Sequence, residues 1–184
     1  MAAPPPSEGD VVYEIDMVDF DNAKESYEMD ASEMMDAASR YKSKGNAYFK
    51  KALYDFAVEK YDKAVKFVEF DSKYTEEEKR EAKKIKVACW NNSGACKLKT
   101  KAYGEAQAYC TKVIDADSQN VKALYRRAQS YMATSDFLEA ETDLKNALLV
   151  EPECKEATLQ MQRLKKLEAQ YNKKERQRYA KMFA

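Results

Sequence analysis

Val121-Lys122-Ala123-Leu124-Tyr125-Arg126-Arg127-Ala128-Gln129-Ser130-Tyr131 decides the fold, because two earlier stretches share its register. They are Ala38-Ser39-Arg40-Tyr41-Lys42-Ser43-Lys44-Gly45-Asn46-Ala47-Tyr48 and Val87-Ala88-Cys89-Trp90-Asn91-Asn92-Ser93-Gly94-Ala95-Cys96-Lys97. With Gly45, Gly94 and Ala128 each set as the eighth residue of a repeat, the other positions align. Position 4 is Tyr41, Trp90 and Leu124; position 11 is Tyr48, Lys97 and Tyr131; position 20 is Ala57, Ala106 and Ala140. Position 24 is Tyr61, Cys110 and Leu144, and position 27 is Ala64, Val113 and Ala147. Small residues at 8 and 20 let two helices approach closely, and larger ones at 4, 11 and 24 fill the space around the contact. One such hairpin cannot bury its own faces, so the core requires that the three stack.

From Gly45 to Gly94 is 49 residues, from Gly94 to Ala128 only 34. The surplus in the first repeat is Ser72–Lys86, where Thr75 and Glu78 form a capping box ahead of an acidic first turn. The insertion is therefore expected to lengthen the next helix at its N-terminal end. The expected helices are 36–51, 54–70, 76–100, 103–116, 120–133, 137–150 and 154–182. After residue 36, Gly occurs only at 45, 94 and 104, and Pro only at 152, so little interrupts them.

This pattern resembles the tetratricopeptide repeat: 34 residues, two antiparallel helices, small residues at 8 and 20, and large ones at 4, 11 and 24. The resemblance covers residues 38–154, with repeat 2 departing at Lys97 and Ser118. It implies an all-α fold of three helix hairpins in a right-handed superhelix, followed by a long C-terminal helix.

Composition limits the function classes. With 45% hydrophobic and 11% aromatic residues in 184, the chain can build one substantial core. It has no histidine, which removes the commonest general base and a major metal ligand. Its four cysteines, Cys89, Cys96, Cys110 and Cys154, form no Cys-x-x-Cys pair and read as small buried residues in a reducing compartment. No cofactor or metal site is expected. No apolar run reaches the roughly 20 residues of a membrane span, and no signal peptide is seen. A cytoplasmic location fits, with a nuclear one also open. The zero net charge hides an acidic head over residues 1–37 and a basic tail over 163–184.

In a stack of such hairpins, positions 2, 5, 6 and 9 of the first helices form a stripe beside the packing stripe and line one concave face. Repeat 1 supplies Ser39, Lys42, Ser43 and Asn46, with Phe49 a turn further. Repeat 2 supplies Ala88, Asn91, Asn92 and Ala95, and repeat 3 Lys122, Tyr125, Arg126 and Gln129. No acid occurs among these positions, although 35% of the chain is charged. Such a surface suits an extended peptide with carboxylates at its end.

Lys42, Asn46, Asn92, Lys122 and Arg126 are similar to the dicarboxylate clamp of chaperone-binding tetratricopeptide proteins. The resemblance implies recognition of the Glu-Glu-Val-Asp tail of heat-shock protein 90, or in some relatives of heat-shock protein 70. The terminal carboxylate and last Asp would be gripped, with Phe49, Ala95, Tyr125 and Gln129 lining the groove. Arg127, at position 7, faces elsewhere and is expected to be a structural or rim charge.

The ends carry a second resemblance. Lys44–Lys50, Tyr61–Lys66 and Lys122–Tyr131 are similar to large, plant-like FKBP-type peptidyl-prolyl isomerases. Residues 1–9 read as a loose leader and 10–20 as a lone strand (Tyr13, Ile15 and Met17 alternating with Glu14, Asp16 and Val18). That strand looks like the last strand of an FKBP domain whose remainder is absent, so the chain itself is expected to lack isomerase activity. Residues 21–35 read as an acidic linker with a short helical piece, 36–154 as the repeat domain and 155–184 as a basic capping helix. The family resemblance also implies calmodulin binding at Arg163, Leu164, Lys165, Lys166, Leu167, Tyr171, Lys173 and Lys174, since basic amphipathic helices are its usual targets. The narrow apolar face and sparse aromatics argue against nucleic acid or membrane as partners. A third possibility is a scaffold that dimerises through the unpaired strand.

Overall fold

The computed structural model describes residues 29–69 and 74–182. Among them are seven helices and no strand: α1 (Ala31–Lys50), α2 (Tyr54–Phe67), α3 (Glu76–Lys99), α4 (Tyr103–Ala116), α5 (Val121–Thr134), α6 (Phe137–Val150) and α7 (Lys155–Met182). The leader, the strand over 10–20, residues 21–28 of the linker, and Phe183 lie outside the described residues. α1 pairs with α2, α3 with α4 and α5 with α6; successive hairpins stack, and α7 packs on α5 and α6. This is the expected all-α tetratricopeptide architecture.

The repeat register explains the core. Ala57, Ala106 and Ala140 at position 20 are all fully buried, as are Ala64, Val113 and Ala147 at position 27. Position 8 is small in every repeat and packs against position 24. Opposite Tyr61 stands Gly45, where an added Cβ would lie 2.6 Å from the Tyr61 ring. Opposite Cys110 stands Gly94, whose Cβ would meet Sγ at 3.1 Å. In the third repeat Leu144 leaves room for Ala128, and both are buried. A small residue at position 8 in every repeat lets the paired helices hold the same close approach.

Position 11 of repeat 2 breaks the aromatic pattern with Lys97, and the structure gives it a different task. Its ammonium pairs with Glu105 of α4 at 2.9 Å and approaches Asp55 of α2 at 3.7 Å, with only 15% of the side chain exposed. The hydrogen bond to Glu105 raises its pKa. Tyr109 of α4 donates a hydrogen bond to Asp62 of α2 at 2.7 Å, a second polar tie between the first two hairpins.

Two boundaries differ from expectation by more than one residue. α1 begins five residues earlier than 36, inside the expected linker, because Asp30 and Glu33 form a reciprocal capping box. Met34 and Met35 then pack against the core, and Tyr74 covers Met34 from the insertion. α2 ends at Phe67 rather than 70, its cap Val68 fully buried. The capping box of Thr75 and Glu78 starts α3 at Glu76, so the described part of the insertion is helix, as expected. All four cysteines are buried free thiols.

Candidate functional site

The first helices of the three hairpins, α1, α3 and α5, lie side by side, so side chains on their concave stripe meet across the stack. Asn46 of α1 and Asn92 of α3 are joined directly: Asn92 Nδ2 donates to Asn46 Oδ1 at 3.3 Å. The same Oδ1 accepts from the buried Tyr61 hydroxyl at 2.8 Å. With its oxygen fixed by two donors, the Asn46 amide presents Nδ2 outward. Burial pushes the Tyr61 phenol up to about 12, so it remains a donor at neutral pH.

Arg126 of α5 is anchored to α3. Its Nη1 donates to the backbone oxygen of Asn91 at 3.0 Å and to Asn91 Oδ1 at 3.3 Å. Its guanidinium also sits 5.9 Å from the centre of the Tyr125 ring. The sequence reading put Asn91 on the groove surface; it is instead 7% exposed and serves as a hub. Asn91 Nδ2 donates to Asn120 Oδ1 at 3.1 Å, and Asn120 Nδ2 donates to Asp117 at 2.9 Å. Asn120 also caps α5 through the amide of Ala123. One polar chain thus runs from the α4–α5 turn through Asn91 to Arg126.

The remaining two cations, Lys42 and Lys122, have no hydrogen bond or ion pair among the described residues, and Lys122 is exposed. Lys42 lies close enough to Cys89 of α3 to oppose the effect of burial, which still pushes that thiol up to about 12. The five expected clamp residues therefore lie on three adjacent helices, two of them directly bonded and a third tied to the residue beside Asn92. Arg127 points away, as expected: its guanidinium forms two 2.8 Å bonds to the buried carboxylate of Asp143 and one of 3.1 Å to Thr111. That pairing raises its pKa and joins α4, α5 and α6.

A concavity of about 690 Å³ continues from Arg126. All four residues expected to line the groove (Phe49, Ala95, Tyr125 and Gln129) border it, together with Leu98, Tyr103 and Met132. So do Arg163 and Leu167 of α7. This contribution was not legible from the repeat register, because α7 is not part of a repeat. A second concavity, of about 650 Å³, lies between the N-terminal extension of α3 and the end of α4; its lining mixes Glu77, Glu81 and Asp117 with Arg80, Lys83 and Lys84 and holds no clamp residue.

In the segment expected to contact calmodulin, Leu164 is 2% exposed and packs among Leu144, Ala147 and Ala157. Tyr171 meets Phe137 edge-on at 5.4 Å. Lys165, Lys166, Lys173 and Lys174 face solvent. The apolar stripe of this segment is thus used within the domain, and a partner that wraps the helix would have to lift it off. Among the described residues no cluster has the make-up of a metal site, and no helix is long and apolar enough to cross a membrane.

The tetratricopeptide repeat family model matches residues 87–120 and 121–154, the second and third repeats in the register read above. Bovine peptidyl-prolyl cis-trans isomerase FKBP4 is 34% identical over 182 residues, covering 97% of this chain and 39% of that protein. The chain thus spans about two fifths of the length of this relative. Among solved structures, the C-terminal TPR-containing domain of an FK506-binding protein from Plasmodium falciparum superposes with a TM-score of 0.73 at 26% identity, covering 81% of this chain and 99% of that one. The first TPR domain of Spaghetti (RPAP3), bound to the HSP90 peptide SRMEEVD, shares the fold with a TM-score of 0.61 at 24% identity, over 73% and 95% of the two chains.

Proposed function

We propose, from the premise that this chain is a tetratricopeptide-repeat domain homologous to the non-catalytic C-terminal region of FKBP-type immunophilins, that it docks the acidic carboxyl end of a chaperone of the heat-shock protein 90 type. The observation that carries the reading is the row of donors across α1, α3 and α5. Asn46 and Asn92 are bonded together, Arg126 is held on Asn91, and Lys42 and Lys122 lack acidic partners among the described residues.

Lys42, Asn46 and Asn92 surround one carboxylate and Lys122 and Arg126 the other. The main-chain carboxylate and the last Asp side chain of an acid-ended peptide supply these two groups. Each charge-assisted hydrogen bond in such a site is worth roughly 1.5–3 kcal/mol. Ordering a short extended peptide offsets much of the sum. The net affinity is therefore about micromolar, near 8 kcal/mol. Phe49, Ala95 and Tyr125 offer apolar surface to the Val and Met of the peptide, and Gln129 an amide to its backbone.

Lys122 provides the first test because it is exposed and forms no hydrogen bond or ion pair among the described residues. Lys122→Glu is expected to abolish binding of SRMEEVD in a calorimetric titration while the thermal midpoint stays within about 2 °C of the wild type. Unchanged affinity would remove Lys122 from the site.

A further inference from the structure

We propose that the rim of the groove is a second, electrostatic recognition site, for carboxylates that lie upstream of the clamped end on the same peptide. The proposal rests on the docking reading above. Its basis is the charge of the lining. Lys99, Lys101, Arg126 and Arg163 border the concavity and no Asp or Glu does, in a chain with 32 acids against 32 bases.

The cations do not come from one basic helix face. Lys99 ends α3, Lys101 stands in the α3–α4 turn, and Arg163 reaches in from α7. All three residues are exposed, and none forms an ion pair among the described residues. Lys97, two residues before Lys99, is by contrast held by Glu105 and Asp55. Like charges gathered without counter-charge repel one another, and an anionic ligand relieves that repulsion.

Distance selects the part of the ligand. Lys99 lies at position 13 of its repeat and the clamp's Asn92 at position 6, seven residues apart on α3. At 1.5 Å per residue this is about 10 Å. An extended peptide covers that in about three residues. With its carboxyl end at the clamp, the chain reaches Lys99 at about the fourth residue from its end, and the residues upstream of that one pass along the rest of the rim. An apolar side chain over Leu98, Tyr103 and Met132, followed upstream by Asp or Glu, fits this lining.

The test uses two peptides that both end in Met-Glu-Glu-Val-Asp, one preceded by Glu-Asp-Glu and the other by Gln-Asn-Gln, titrated into the full chain at low and moderate salt. The acidic peptide is expected to bind roughly fivefold more tightly, the gain of about two exposed ion pairs. The preference should shrink with salt and vanish in Lys101→Gln/Arg163→Gln. Arg163→Glu removes the same two units of positive charge and should abolish it likewise. Equal affinities of the two peptides for the wild-type chain would overturn the proposal, as would an undiminished preference in the double variant. A single-stranded oligonucleotide that competes as well as the acidic peptide would overturn the peptide assignment. Amidated forms of both peptides separate the two readings. If amidation weakens both but the upstream charges have no effect, the rim proposal fails and the clamp stands. If amidation changes nothing, the clamp fails and the rim proposal with it.

Discussion

Asn91 holds Arg126 through both its backbone and side-chain oxygens, and its own amide is fixed by Asn120. Removing its side chain leaves only the backbone bond, so the guanidinium is loosened and samples rotamers that miss a ligand carboxylate. Asn91→Ala is expected to weaken peptide binding by about tenfold, the worth of one hydrogen bond to a charged group. The loss should nearly vanish when Arg126 is already alanine. A double-mutant cycle by calorimetry checks this, and additive losses would mean that Asn91 does not act through Arg126. At this scale the sequence was informative about faces and silent about neighbours. The register assigned Lys42, Asn46, Asn92, Lys122 and Arg126 to one concave stripe. It also put Asn91 there, because a stripe drawn on one helix ignores the adjacent helix that covers its edge. The fate of Arg127 was legible, since position 7 turns away from the groove.

At the scale of elements, the three hairpin turns share a strained residue. Ala52, Lys101 and Ser135 occupy position 15 of their repeats, with φ of 59°, 62° and 70°. In each turn the next amide reaches back five residues: Leu53 to Tyr48 at 3.0 Å, Ala102 to Lys97 at 2.9 Å and Asp136 to Tyr131 at 2.9 Å. This is the six-to-one closure of a Schellman motif, whose left-handed residue is usually glycine. Ala52→Gly and Ser135→Gly are each expected to stabilise the domain by about 1 kcal/mol, by relieving the Cβ clash of the left-handed conformation. Urea unfolding midpoints measure this, and a lower midpoint in both variants would contradict it. This strain was not legible in the sequence because none of the three residues is glycine. It also hid the start of α1, whose acidic first turn resembled a linker until Asp30 and Glu33 were seen to cap it.

Across the whole molecule, stability depends on thiols and phenols that the core keeps protonated. Burial pushes Cys89 up to about 12 and Cys96 and Cys110 up to about 11, from an ordinary 9.0. The folded chain therefore binds more protons than the unfolded chain once pH exceeds about 9, and stability must fall as pH rises. Tyr61, also pushed up to about 12, adds to the effect at higher pH. Between pH 7.5 and 10 the loss is expected to be about 1 kcal/mol for each of the three thiols. Urea denaturation at the two pH values reads it, and a flat profile would contradict the burial of these groups. The stacking of three hairpins was readable from the small residues at positions 8 and 20 and their shared register. The docking of α7 was only partly so. Leu164 and Leu167 were legible as an apolar face, but Arg163 and Leu167 reached the groove through tertiary geometry that no repeat position encodes.

The central claim is that Lys42, Asn46, Asn92, Lys122 and Arg126 together recognise a free peptide carboxyl end. Calorimetric titration of SRMEEVD against the same peptide with an amidated C-terminus tests it most directly. Amidation removes one of the two carboxylates and leaves every other contact in place. The account predicts a loss of affinity of at least about tenfold for the amide; equal affinities would contradict it.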